Sequence, residues 1–512
     1  MANPESLLNE KNRIGLRFGD EENPVEQCSC QNRLSHIFFE NKVNLMVENV
    51  RPCLSWKEVK TQCYLAGPLI VGNLLSFCLQ MVSISFVGRF GELELSGASI
   101  ANSFSVVTGF SVVLGLGYTL ETLCGQAFGA RQYQKLGIYT QRAIIVLNVT
   151  SIPLAFIWAN IERILLLLGQ DAQIASKAGE YGVLLIPTLF AAATSQPFVK
   201  FLQAQSLVAP LLLISLATLL CHVPVCAFMV FKSGLGYRGA ALANSISYWI
   251  DALFLVLYVR FSNSCSQSWV PLSLEAFQDM KAFLKLAVPS AAMICLEWWS
   301  YDVLVILSGL LPNPELETAT ISICVNTVSL IFMLPMGLSA AASTRIANAL
   351  GAGDPQATRV SVNVVLLLAL SEALIVAAVL LLVRNFWGLV YSNEDEVVDM
   401  VAELAPFLAL STTFDSLQQV LSGVARGAGW QQIGAYINLG SFYIVGLPVG
   451  CLLAFVGHLN GKGLLIGLVV GVTVQFASFV VITHLTDWDI EAMNTVARVN
   501  STPSAVEPLL VT

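Results

Sequence analysis

Residues 115–130 read GLGYTLETLCGQAFGA, and residues 337–352 read GLSAAASTRIANALGA. Laid over each other at an offset of 222 residues, they share their first two and last two residues. Three further pairs keep nearly the same spacing. LAGP at 65–68 returns as LAVP at 286–289, GEL at 91–93 as PEL at 314–316, and Arg238-Gly239 as Lys462-Gly463. Four matches in chain order at an almost constant offset mark an internal repeat.

The repeat lies in an apolar chain. Of 512 residues, 55% are hydrophobic and 12% charged, and the mean hydropathy is +0.71. A soluble domain carries about twice that charge. Segments of about 20 apolar residues can cross a bilayer. They fall at 63–87, 97–121, 140–160, 179–202, 209–231, 238–261, 282–310, 319–342, 360–384, 401–424, 433–456 and 463–485. The repeat offset equals six spans, an even number, so both halves have the same orientation. The predicted fold is an all-α membrane protein of twelve transmembrane helices in two parallel six-helix repeats, an architecture common among secondary transporters. A net charge of −8 and a pI near 5.2 argue against nucleic-acid binding. Cysteines such as Cys78, Cys226 and Cys324 sit in apolar segments and read as reduced thiols.

The organisation expected is a largely disordered cytosolic tail (1–60), a first lobe (61–262), a cytosolic linker (263–281), a second lobe (282–486) and a disordered cytosolic tail (487–512). Lys and Arg gather in the loops that a cytosolic N-terminus places inside: Arg131, Lys135, Arg142, Lys200, Arg260, Lys281, Lys285, Arg345, Arg359 and Arg426. On this reading no Lys or Arg stands deep in a span.

Acids do. Glu121, Asp251, Glu297, Asp302, Glu372 and Asp415 fall within or at the edge of spans. An intramembrane acid costs at least a few kcal/mol and marks a candidate site. Asp415 shares a helix face with Thr412, Gln418 and Gln419, and Glu297 with Ser300 and Tyr301, beside Trp298. These two rank first. Asp302 points elsewhere around its helix. Glu121, at the inner end of the second span, reads as a gate or packing residue, and Asp251 and Glu372 as unassigned polar contacts. The first span has a neutral stripe of Asn73, Ser76 and Gln80. A carboxylate in an apolar pocket keeps its proton to higher pH than one in water. An acidic cavity walled by aromatics suits organic cations.

The motifs ETLCGQAFGA (121–130), CLEWWSYD (295–302), SGLLPNPELET (308–318), STRIANALGAG (343–353) and GVARGAGWQQIGAYINLGSFYIVGLP (423–448) resemble the plant branch of the multidrug and toxic compound extrusion (MATE) family, from about 55 to 490. The resemblance implies a V-shaped two-lobe fold and efflux of organic cations, xenobiotics or plant secondary metabolites in exchange for H⁺. It implies no cofactor, no metal and no enzymatic activity. It also puts the coupling acids on the seventh and tenth helices, at Glu297 and Asp415. Asn73 and Gln80 replace the first-helix acid that prokaryotic relatives often use, and Asp251 departs from the neutral residue implied there. The location expected is a plasma or vacuolar membrane, with a monomer sufficient for function.

Three rivals have hooks in the sequence. Na⁺ coupling on the same fold is open to these residue types. A lipid or oligosaccharide flippase would need deep basic residues to hold phosphates. An intramembrane aspartyl protease is suggested by Tyr301-Asp302 and Gly351-Ala352-Gly353-Asp354, but Asp354 precedes Pro355 between Arg345 and Arg359.

Overall fold

The computed structural model describes residues 55–392 and 394–501. Among them 12 helices are long and apolar enough to cross a bilayer. They are α1 (Trp56–Val87), α2 (Glu92–Gly129), α3 (Tyr133–Ala159), α4 (Ala172–Ala204), α5 (Val208–Phe231), α6 (Arg238–Phe261), α7 (Met280–Ser308), α8 (Leu316–Gly351), α9 (Pro355–Val390), α10 (Asp395–Ala428), α11 (Gln431–Val456) and α12 (Asn460–Leu485). A further helix, α13, covers Trp488–Ser501. The spans read from hydropathy fall on these helices and overrun them only at the ends of α3 and α7.

The helices are longer than the apolar runs that revealed them. At about 1.5 Å per residue, the 33 residues of α4 reach well past a hydrocarbon core of about 30 Å. This corrects the loop assignment of the basic residues. All of those named above except Arg131 lie inside helices, and Lys135 and Arg142 of α3, Lys200 of α4 and Arg426 of α10 are buried there. Lys200 falls inside the run 179–202, two residues from its end, and Arg426 lies two residues past the run 401–424, whose helix continues to its cap. For α10 that cap is Gly429, whose φ of 91° is a left-handed C-cap.

The repeat motifs meet each other. Helix α2 crosses α8 through small residues that let the backbones touch, as membrane helix interfaces favour. A Cβ built on Gly125 would stand 2.5 Å from the Ala347 Cβ, and one on Gly129 would strike the Asn348 carbonyl. One on Gly351 would strike the Gln126 carbonyl. Either side of this crossing the contacts repeat. Gly115 of α2 packs on Ala291 of α7, and Gly337 of α8 packs on Ile70 of α1. Both partners are related by the repeat offset, so GLGYTLETLCGQAFGA and its copy form one seam between the halves.

Within α2, residues Val106–Phe110 form a wide π-turn. Such a turn frees a carbonyl from the helical ladder. The Val107 carbonyl accepts from Trp299 Nε1 of α7 at 2.8 Å and from Ser111 Oγ at 2.6 Å. One of the two tryptophans of CLEWWSYD thereby fastens the halves together.

Both tails need correction. Trp56–Lys60 already belong to α1, and Glu58 there is paired with Arg345 of α8 at 2.7 Å. The carboxylate also accepts from Ser361 of α9 at 2.8 Å. At the other end, 488–501 is a helix and not a disordered segment. Trp488, Ala492, Thr495 and Val499 form its buried stripe, and Trp488 stacks on Trp430 with ring centroids 5.4 Å apart. Its exposed charges hid that 3.6-residue period in a hydropathy scan. The remaining tail residues, 1–54 and 502–512, lie outside the described residues. The linker is docked: Trp269 packs on Phe198 and Phe201, and the Gln141 amide donates to the carbonyls of Val270 and Pro271.

The seam is testable by one methyl group. Gly129→Ala is expected to lower stability by about 1–3 kcal/mol through overpacking, read as a drop in the thermal unfolding midpoint of the purified protein. Gly67→Ala, where a Cβ meets nothing within 4 Å, should leave that midpoint unchanged or raise it.

Candidate functional site

Glu297 of α7 and Asp415 of α10 come together, 1% and 3% exposed. What joins them is one amide. Gln418 Nε2 donates to Glu297 Oε1 at 3.0 Å and to Asp415 Oδ1 at 3.0 Å. Its two N–H bonds therefore serve two carboxylates. Ser422, one turn further along α10, donates to Gln418 Oε1 at 3.2 Å. That bond fixes which end of the amide faces the acids. Position 418 lies three residues from 415 and four from 422, so the polar stripe predicted on this helix is what builds the clamp.

The remaining contacts are neutral donors too. Tyr301 Oη donates to Asp415 Oδ1 at 3.2 Å. Asn438 Nδ2 of α11 donates to Glu297 Oε2 at 3.3 Å and to the Met293 carbonyl at 2.7 Å. Gln475 Nε2 of α12 approaches Glu297 Oε2 at 3.5 Å and Asn438 Oδ1 at 2.8 Å. Neither Glu297 nor Asp415 forms an ion pair within the described residues. Two negative charges side by side in apolar surroundings repel and lack hydration. Neutral amides soften this, and a bound proton or cation relieves it.

Asn438 and Gln475 were missed in the sequence. Each is a single amide in an otherwise apolar span, without the multi-residue stripe that marked α7 and α10. Glu372 of α9 also faces this cluster, beside Ser416 and near Asp415.

The other predicted residues divide. Ser300 and Thr412 spend their hydroxyls on their own helices, on the Glu297 and Ala409 carbonyls. Gln419 is buried on the α10 face toward Ser339, which donates to the Gln419 carbonyl at 2.6 Å. Trp298 is half-buried. Asp302 is half-buried near Tyr443, away from the clamp. On α1, Asn73 is half-buried and Ser76 is exposed. Gln80 turns instead to Tyr248 of α6, and Asp251 accepts from Thr218 of α5 at 3.3 Å. Asp354 caps α9 from an exposed position, accepting from the Ala357 amide at 2.9 Å. It does not face Asp302, as a protease dyad would require.

Glu121 has a different role from the clamp acids. Lys200 Nζ of α4 lies 2.7 Å from one carboxylate oxygen and Arg426 Nε of α10 2.9 Å from the other. Both cations also lie over the Tyr118 ring, at 4.3 and 4.7 Å from its centroid. Gln203 Nε2 donates to Glu121 at 3.3 Å and to the Ala340 carbonyl of α8 at 3.1 Å. Thr122 donates to the Arg426 carbonyl, and Gln126 to the Gly427 carbonyl at 3.0 Å. A compensated ion triad thus ties α2 and α4 of the first half to α8 and α10 of the second, beside the glycine seam.

Comparison with known proteins gives one answer. The family model described as MatE matches residues 68–228 and 289–452. Protein DETOXIFICATION 16 of Arabidopsis thaliana is 54% identical over 448 residues, covering 88% of this chain and 92% of the relative. Protein DETOXIFICATION 17 of the same plant is 50% identical over 445 residues, covering 87% and 94%. The crystal structure of the eukaryotic MATE transporter AtDTX14 superposes with a TM-score of 0.84 at 48% identity, covering 86% of this chain and 99% of that one. A MOP superfamily transporter from Pyrococcus furiosus shares the fold at 14% identity, with a TM-score of 0.75 and 87% and 97% covered.

Two variants separate clamp from triad. Gln418→Ala should cut transport at least tenfold, because both carboxylates lose a donor worth about 1.5–3 kcal/mol to a charged group. Protein stability should change little by comparison, and transport assays alongside thermal unfolding would read the split. Glu121→Gln leaves two buried cations without their anion, a loss of about 3–5 kcal/mol. It should appear as a large fall in unfolding midpoint and membrane yield.

Proposed function

This chain belongs to the MatE family of multi-pass membrane transporters, and from that premise we propose that it expels organic cations, xenobiotics or plant secondary metabolites in exchange for protons. The observation that carries the coupling claim is the Glu297–Gln418–Asp415 clamp. Two carboxylates face each other in a membrane-spanning bundle, with neutral donors alone as hydrogen-bond partners. A proton resting there is released when a cationic substrate, or the aqueous phase it faces, offers the charge a better partner.

The donor set favours H⁺ over Na⁺. A hard metal cation needs a shell of oxygen ligands. Around these carboxylates the N–H groups of Gln418, Asn438 and Gln475 and the hydroxyl of Tyr301 are placed to donate to a carboxylate rather than to offer oxygen to a metal ion. A proton on one carboxylate leaves the other to accept these bonds.

Coupling follows if the protonated and ionised clamps favour different conformations. The moving bodies of this reading are the lobes 61–262 and 282–486, with the N-terminus cytosolic and a monomer sufficient, in a plasma or vacuolar membrane. The Glu121 triad closes one side of the seam. It must open for the substrate site to face the other side. Members of this family are transporters, and no covalent step is assigned to any acid.

The test is uptake of rhodamine 6G into everted membrane vesicles under an imposed ΔpH, with and without Na⁺. Uptake by the wild type should follow ΔpH and ignore Na⁺. Glu297→Gln and Asp415→Asn should each reduce it to the level of empty vesicles. Uptake that follows Na⁺, or that survives both substitutions, would overturn the coupling assignment.

A further inference from the structure

The clamp draws its residues from the first, fifth and sixth helices of the second repeat: Glu297 and Tyr301 on α7, Asn438 on α11, Gln475 on α12, joined to α10. The first repeat has polar groups on the same three helices, α1, α5 and α6. The offset that carries Arg238-Gly239 to Lys462-Gly463 carries Asp251 to Gln475. The offset that carries LAGP to LAVP carries Gln80 to Tyr301. Each half therefore has a carboxylate in this helix trio, on the first helix in one half and on the last in the other.

The surroundings of Asp251 form a polar column inside an apolar bundle. Thr218 Oγ1 donates to Asp251 Oδ1 at 3.3 Å. One turn back on α6, Tyr248 pairs with Gln80 of α1. One turn further along α5, fully buried His222 meets Ser83 of α1 at 3.0 Å through Nε2 and Ser247 of α6 at 2.8 Å through Nδ1. Ser83 donates its own hydroxyl to Asn244 Oδ1 at 2.7 Å. Its single proton is thus committed, so Nε2–H of His222 donates to Ser83, and Nδ1 accepts from Ser247. Adding a proton at Nδ1 requires only that the Ser247 hydroxyl turn round. No heavy atom has to move.

The groups that face Asp251 are otherwise uncharged. Helix α1 presents Gln80 and Ser83, α5 presents Thr218 and His222, and α6 itself presents Tyr248; the charged groups of α4, which also packs on α6, are paired elsewhere, Lys177 with Glu94, Glu180 with Arg238 and Lys200 with Glu121. The ion pairs of the described residues involve other acids. An intramembrane carboxylate with a hydroxyl as its partner and a histidine a turn away has the parts of a proton site.

We propose that the first six helices hold a second proton-exchange site, with Asp251 as the acceptor in the polar column that also holds His222 and Ser247. The step is a simple transfer. A hydronium ion gives its proton to a carboxylate oxygen of Asp251 and leaves as water, and the O–H bond breaks to water again when the site faces the other side. The proposal rests on the proton-antiport reading of the second half, and it makes the two halves unequal carriers of one cycle.

The experiment is the proton-to-cation ratio of the full chain in proteoliposomes, from the ΔpH that brings net rhodamine 6G flux to zero at a fixed dye gradient. Asp251→Asn keeps the Thr218 hydrogen bond. It should still transport, with a ratio lower than wild type by one proton per cycle. In parallel, wild-type protein treated with dicyclohexylcarbodiimide should be labelled at Asp251, more at acid than at alkaline pH, as mass spectrometry of the peptide would read. This second measurement needs no variant to fold. An unchanged ratio in Asp251→Asn would overturn the proposal. So would a rise in the dye concentration for half-maximal flux at constant ratio, which would make Asp251 a substrate contact. Absence of labelling at the pH of transport would also overturn it. Wild-type flux that ignores ΔpH would instead sink the antiport reading itself.

Discussion

Charge buried in a bilayer has to be compensated where it stands, and the interior of this protein is arranged around three ways of doing so. Glu121 is compensated in full by Lys200 and Arg426. That arrangement is stable as long as the halves stay in contact, because its members come from both. Glu297 and Asp415 are compensated in part, by one shared amide and a few neutral donors. Asp251 has a single hydroxyl. The degree of compensation matches the role each site can take. A fully paired acid holds structure together, and a partly paired one has reason to exchange a proton.

The repeat sets where these sites can be. Because α2 and α8 carry the same small-residue pattern, they pack against each other at the centre, and each reaches across to the opposite half, α2 to α7 and α8 to α1. The ion triad sits beside that crossing. The clamp lies between α7, α10, α11 and α12, with Glu297 within electrostatic reach of the triad's Arg426. A change at the clamp therefore lies within one half, while a change at the triad breaks the contact between halves. Clamp and seam share an element, since α7 carries Glu297 and also receives Gly115 and the Val107 carbonyl of α2 through Ala291 and Trp299.

Much of this was legible in the sequence. Twelve spans, the repeat and the ranking of Glu297 and Asp415 as the leading acids followed from hydropathy, internal matches and stripes at helical spacing; that the two meet through Gln418 did not. What was not legible follows a common cause. Lys200 and Arg426 looked like loop residues because they stand at or just past the ends of their apolar runs, although the helices continue. Helix α13 was read as disordered tail because its apolar stripe is narrow and its outer face charged. Asn438 and Gln475 were overlooked because a lone amide leaves no periodic trace. In each case the missing information was a partner on another helix, which one strand of sequence does not display.

The most direct measurement is proton release on substrate binding, with no membrane gradient at all. Purified protein in weakly buffered detergent solution would be mixed with rhodamine 6G while a pH indicator is followed. If a cation displaces the proton held at the clamp, the wild type acidifies the solution as the dye binds, and Glu297→Gln binds dye with less or no acidification. Dye binding by the wild type without proton release across the pH range of transport would contradict the account.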